Sequence, residues 1–228
     1  MTPSQKQSLQ QVEADLTASR TALERAQLRL ARVLEEPDAE PPSAVVAAVA
    51  LCVGHSRQGD NGAVAVGGVT EFRFNSALAP RISQILSGKG IQGIVIDEYE
   101  GSTYGAAMTW LASELREFDV ALAIELHFNA AHSDAMGYEY LHHAASAKGK
   151  RLAQCLHDAH KRNFPSSRSR GIKSPPSGRG DAFLKRTHCP AVICEPFFGS
   201  NSSEWEFYRD RREELPRMYA EGLEAFLL

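Results

Sequence analysis

Four residues in this 228-residue chain have types and settings that could do hydrolytic chemistry together. His55 ends the apolar run VVAAVALCVGH, His127 interrupts VALAIELHFNA beside Asn129, and Glu195 interrupts CPAVICEPFF. Glu71 stands at the start of a helical stripe, where the positive end of a helix favours a carboxylate. A carboxylate in an apolar strand is costly unless it is paired, hydrogen-bonded or near a metal. Two imidazoles and one carboxylate form the donor set of many hydrolytic zinc sites that keep a position open for water. A second carboxylate could then carry the proton of that water. Each residue also has a plain structural reading: a satisfied strand-end histidine, a helix N-terminal charge at Glu71, or an ion pair between Glu195 and a nearby arginine. Spacing alone does not force the four together.

The elements that must position them follow an alternating pattern. Apolar runs at 45–55, 91–99, 120–130 and 189–198 read as strands, and GYEYLHH at 137–143 alternates like a more exposed one. Helical stripes cover 71–87, 103–117, 144–162 and 203–227. The expected fold is α/β: a mostly parallel or mixed sheet with helices on both faces. In such folds functional groups gather at the carboxyl ends of strands, where His55, His127 and Glu195 fall. The stretch SSRSRGIKSPPSGRGDAFLKR reads as a substrate-facing loop, in which Arg170, Lys173 and Arg179 could meet carboxylates. His132, His157, His160 and His188 read as non-catalytic.

Residues 3–35 differ in kind. Leu9, Leu16, Leu23 and Leu30 recur every seven residues, with Val12, Ser19, Ala26 and Val33 three positions after each. That spacing predicts a heptad-patterned helix over 1–35, docked on the domain or forming a homo-oligomer or a coiled coil with a partner helix. EPDAEPPSA at 36–44 predicts a proline-rich linker, and 45–228 a single domain.

Composition excludes several classes. Twenty-five Lys and Arg against 28 Asp and Glu give a net charge of −3, so there is no overall basic field for nucleic acid. No apolar run is long enough for a transmembrane segment. MTPSQKQSLQQVEADL has no apolar core of a secretory signal. Four cysteines without a CxxC do not make a disulfide scaffold in a chain this long.

From Leu51 onward the sequence resembles the zinc-dependent N-acetylmuramoyl-L-alanine amidases, peptidoglycan amidases with a phosphorylase/hydrolase-like α/β fold. The resemblance rests on an ordered set: VGHS at 53–56, GGVTEFRFNSALAPRI from 67, ELHFNA at 125–130, GYEYLHH at 137, RGIK at 170–173 and PAVICEPFFGSN at 190–201. It implies that His55, Glu71 and His127 hold Zn2+ and that Glu195 acts in catalysis. It further implies cleavage of the amide between the lactyl group of N-acetylmuramic acid and L-alanine in bacterial peptidoglycan. The implied proton path runs through Glu195 to the leaving nitrogen.

Three stretches depart from the family pattern. The first motif is GHS where GHGG is common, IDEYEGSTYG replaces the usual Thr-Arg, and ELHFNA stands where SIHxNA is common. Glu125 and His127, two apart on a strand, share a face, which makes Glu125 a candidate to support the ligand or to form a structural ion pair. A zinc carboxypeptidase-like or other amidohydrolase is a second expectation, although His55 is followed by Ser56, Arg57 and Gln58 rather than an H-x-x-E pairing. A non-enzymatic cell-wall-binding or virion protein is a third. The expected setting is a phage-type endolysin, made in a host cytoplasm without a signal peptide and acting in the periplasm or cell wall after release.

Overall fold

The computed structural model describes residues 47–175 and 180–228. The heptad segment, the proline-rich linker and Arg179 lie outside the described residues.

The described chain runs β1 (Ala48–Val53), α1 (Glu71–Ser87), β2 (Gln92–Ile96), α2 (Tyr104–Glu117), β3 (Leu122–Leu126), β4 (Tyr138–His142), α3 (Ala147–Asn163), β5 (Ser169–Lys173), α4 (Asp181–Arg186), β6 (Ala191–Glu195), α5 (Ser202–Asp210) and α6 (Glu214–Leu227). The six strands form one sheet in the order β2-β1-β3-β6-β4-β5. β2, β1, β3 and β6 are mutually parallel; β4 pairs antiparallel with β6 and parallel with β5. The sheet is therefore mixed but mostly parallel, as its continuous apolar strands predict.

Alternation along the strands sends side chains into two cores. Val49, Leu51, Val53, Ile124, Leu126, Tyr140 and Cys194 pack under α1, α3 and α6. Ala50, Cys52, Ile96, Ala123, Leu141 and Ile193 pack under α2 and α4. Period 2 in the strands thus makes one sheet serve two layers of helices. Glu125, Glu139 and Glu195 share strand parity with Ala123, Leu141 and Ile193, so three carboxylates project on the α2 side of the sheet.

α1 begins where its sequence says it should. Thr70 caps it by accepting a hydrogen bond from the Arg73 N–H at 3.2 Å, and Glu71 occupies the first turn. Asn75, Leu78, Ala79, Ile82 and Leu86 continue the buried stripe.

Three expectations change. GYEYLHH is not a more exposed strand: β4 is buried along its whole length, because β5 covers its outer edge and helices cover both faces. The stretch read as one long loop contains β5 and α4. SRGIK carries a single large apolar residue, Ile172, so its sequence has no strand alternation to find. The closing helix is two helices. Pro216 has no N–H to donate and its ring would clash with the carbonyl four residues back, at Arg212, so an unbroken helix is disfavoured there; in the two-helix arrangement Pro216 falls in the first turn of α6, where it is tolerated. Among the described residues no helix is long and apolar enough to cross a membrane.

Candidate active site

The carboxyl ends of β1, β3 and β6 open into a cleft of about 530 Å³ lined by His55, Asp60, Glu71, Tyr99, Glu125, His127, Asn129 and Glu195, with Tyr104, Met108 and Leu141 supplying an apolar wall. His55 follows β1 across Gly54 and takes a left-handed backbone at φ 61°, a costly conformation for a residue with a side chain. Such a conformation persists where the surroundings hold it, and here the next residues bind back: Ser56 Oγ donates to the Val53 carbonyl, and Asp60 Oδ1 lies 2.9 Å from His55 Nδ1. Glu71 is delivered by the first turn of α1 and His127 by the end of β3.

Glu71 is the hub. One carboxylate oxygen is 2.7 Å from His127 Nδ1 and the other 3.4 Å from His55 Nε2. The N–H groups of Phe128 and Ala63 donate to the same two oxygens at 3.2 and 3.1 Å. Burial would raise the Glu71 pKa, but its hydrogen bonds to His127 and His55 outweigh that and hold it at about 2. The histidines respond in kind. Burial would lower His127, yet Glu125 and Glu71 raise it well above the usual value; His55 is raised by Glu71 against the same burial effect.

Donor atoms of His55, Glu71 and His127 lie within 4.8 Å of one another. Two imidazole nitrogens and a carboxylate oxygen at that separation fit one Zn2+-sized ion. Glycines keep the cradle open. A Cβ on Gly62 would sit 2.6 Å from His55 Cδ2 and 2.8 Å from Glu71 Oε2, and one on Gly54 would sit 2.3 Å from His127 Cε1. The sequence-derived trio is thus brought together, and Glu195, buried at the end of β6, lines the same cleft. Glu125 lies 3.2 Å from His127 Nε2, on the side of the ring away from Glu71.

The cations behave differently from the sequence expectation. Arg170 and Lys173 sit on β5 rather than in a loop, and both donate to Glu139 Oε2, at 3.0 and 2.5 Å. Asn129 Nδ2 donates to the other oxygen of that carboxylate at 3.0 Å. Glu139 is fully buried; burial would raise its pKa, and Lys173, Arg170 and Asn129 hold it at about 2. Asn129 lines the cleft, whereas Arg170 and Lys173 do not.

Sequence reasoning missed Asp60, Tyr99 and Glu139. Asp60 carried a faint signal, five residues past His55 in a Gly-rich turn. Tyr99 and Glu139 carried none, because their partners are remote in sequence. The histidines set aside fall elsewhere: His160 is buried between Tyr140 and Tyr208 hydroxyls at 2.9 and 2.8 Å and stacks on Tyr138.

No curated protein matches the sequence. Solved structures do. AmiC2, an N-acetylmuramoyl-L-alanine amidase of Nostoc punctiforme, superposes with a TM-score of 0.68 at 17% identity, over 81% of this chain and 98% of that one. The CwlD amidase from Clostridioides difficile, solved with the GerS lipoprotein, gives 0.69 at 18% identity over 79% and 98%. The catalytic domain of the CD27L endolysin targeting Clostridia difficile gives 0.66 at 24% identity over 78% and 97%. These likenesses show a shared fold. The N-acetylmuramoyl-L-alanine amidase family, Amidase_3, matches residues 49–225, which take in all of the cleft described above, and the chain belongs to that family.

Proposed function

We propose that the chain hydrolyses the amide between the lactyl group of N-acetylmuramic acid and L-alanine in peptidoglycan. In this reading His55, Glu71 and His127 hold a zinc ion and Glu195 carries the proton. The observation that supports it most is the convergence of three donor atoms within 4.8 Å in a cleft that Glu195 also lines. A zinc ion held there would supply Lewis acidity toward water and the amide carbonyl.

The chain's own groups account for the rest. Glu195 removes the proton of the attacking water and delivers it to the alanine nitrogen as the C–N bond breaks, leaving a carboxylate on the lactyl side and an amine on the peptide. Asn129, fixed by Glu139, offers a polar edge to the substrate. Arg170 and Lys173, which lie outside the cleft, hold the Glu139 carboxylate and through it the Asn129 side chain that lines the cleft. The same reading has the protein act in the periplasm or cell wall, as an endolysin does, with residues 3–35 self-associating or engaging a partner helix.

The test is mass spectrometry of purified peptidoglycan digested by the zinc-loaded protein. Release of stem peptides beginning with a free L-alanine amine is expected. Cuts within the stem peptide would instead assign a peptidase, and an undigested wall with zinc bound would remove the hydrolytic role.

A further inference from the structure

An imidazole offers a metal either of two nitrogens, and the hydrogen bond made by the other one decides which is presented. His127 is held on both sides. Its Nδ1 faces Glu71 at 2.7 Å, and its Nε2 faces Glu125 Oε2 at 3.2 Å. The second oxygen of Glu125 accepts a hydrogen bond from the Tyr99 hydroxyl at 3.1 Å. Tyr99 is itself anchored. Its N–H donates to the Ser56 carbonyl at 3.2 Å, which ties it to the loop that follows His55, and its ring packs on Trp110.

The setting of Glu125 makes these contacts matter. It occupies a central strand, with Cys52 opposite it on one neighbouring strand and Ile193 on the other, and its side chain is 4% exposed. A carboxylate between such neighbours is strongly disfavoured unless its oxygens are satisfied. Gly54 flanks the ring so closely that a Cβ there would sit 2.3 Å from His127 Cε1, which closes that side to the ring. Two of the stretches in which the sequence departs from the family pattern, IDEYEGSTYG and ELHFNA, meet at this hydrogen bond.

We propose that Tyr99 and Glu125 form a positioning unit for His127: Glu125 holds the Nε2–H of the ring, Tyr99 holds Glu125, and Nδ1 is thereby the atom turned to the cation. This rests on the zinc reading of the site and adds two residues to it. Neither acts on substrate. Asp60 makes the matching contact to His55 Nδ1, but from a half-buried position with its side chain 32% exposed, whereas Glu125 is enclosed.

Zinc affinity of the full chain, measured by competition with a chelator, and the ring-nitrogen signals of His127 in 15N-labelled protein test the idea. Glu125→Gln is expected to weaken zinc binding about 10–100-fold. Tyr99→Phe, which keeps the ring against Trp110, is expected to weaken it severalfold and to lower the melting temperature modestly, because one oxygen of Glu125 loses its donor. In zinc-loaded wild type the proton should reside on Nε2 of His127, and Glu125→Gln should shift those signals. Unchanged affinity and ring signals in both variants would overturn the proposal, and so would a lowered melting temperature with wild-type affinity, which marks a purely structural ion pair. If Glu125→Gln fails to fold, Tyr99→Phe decides alone. Wild-type protein that takes up no zinc would be recognised before any variant is made; that result removes the zinc reading and this inference together.

Discussion

Two largely buried histidines stand on opposite sides of the sheet, and their surroundings have little in common. His127 lies between two carboxylates, Glu71 and Glu125, in an open cleft. His160, on α3, lies between two tyrosine hydroxyls with its ring stacked 3.7 Å from that of Tyr138. Burial disfavours the charged form of both. At His160 nothing opposes it, and with a smaller push from His157 the pKa falls to about 3. At His127 the carboxylates more than reverse it. The lesson is that burial does not define a histidine's role; the charge of its partners does. The neutral-walled site fastens α3 and α5 to β4, while the carboxylate-walled site brings donor atoms of His55, Glu71 and His127 within 4.8 Å of one another.

The largest effect should come from exchanging the two sites' fates. His127→Ala is expected to abolish both stoichiometric zinc uptake and wall hydrolysis. His160→Ala should leave zinc stoichiometry intact. Loss of zinc in the second variant, or retention of full activity in the first, would break the comparison; metal analysis of the purified proteins reads the former and a wall-digestion assay the latter.

Next in size, Glu195→Gln should keep zinc and lower turnover by about 10²–10⁴-fold, the contribution of a positioned proton carrier. Single-turnover assays on defined muropeptides measure it, and normal turnover would transfer the proton role to another group.

His160→Ala should cost about 2–4 kcal/mol of stability, since it opens a cavity and removes a hydrogen bond from each of two tyrosine hydroxyls, leaving Tyr208 with Ser167 Oγ and Tyr140 with Met218 Sδ. Chemical denaturation of the metal-free chain gives the value.

The smallest effect is a pH slope. His160 has a folded pKa near 3 and an ordinary value of 6.5, so below about pH 6.5 the unfolded chain takes up a proton that the folded one refuses. Stability is lost as pH falls, by about 2 kcal/mol from pH 7 to 5. The groups facing His160 in that window are Tyr138, Tyr140, Tyr208 and His157, and the phenols stay neutral throughout. The difference between wild type and His160→Gln isolates the contribution. An identical acid slope in the two would show that His160 is not the group responsible.

Much of this architecture was legible beforehand. Uninterrupted apolar runs gave buried strands, because a strand covered on both faces has no polar side to display. The helical stripe over 71–87 located α1 to the residue. β5 escaped because an edge strand is held by backbone hydrogen bonds to β4 and needs little apolar sequence of its own. The break between α5 and α6 escaped because the helical stripe runs on past Pro216, whose place in a first turn becomes clear only once the helix is seen to restart at Glu214.

For the site, residue chemistry nominated His55, Glu71, His127 and Glu195, since a polar group in an apolar strand end is expensive and so stands out in one dimension. Their convergence came only with the fold, which brings Glu71 of α1 within 2.7 Å of a histidine 56 positions away. Glu125 was already on the face of His127 by strand parity, but tertiary structure alone assigned the other partners: Asp60 to His55, Tyr99 to Glu125, and Glu139 to the two cations read as substrate-facing. Sequence fixes which groups are costly to bury. Where each group finds its compensation depends on strand register and helix packing, which local sequence does not encode.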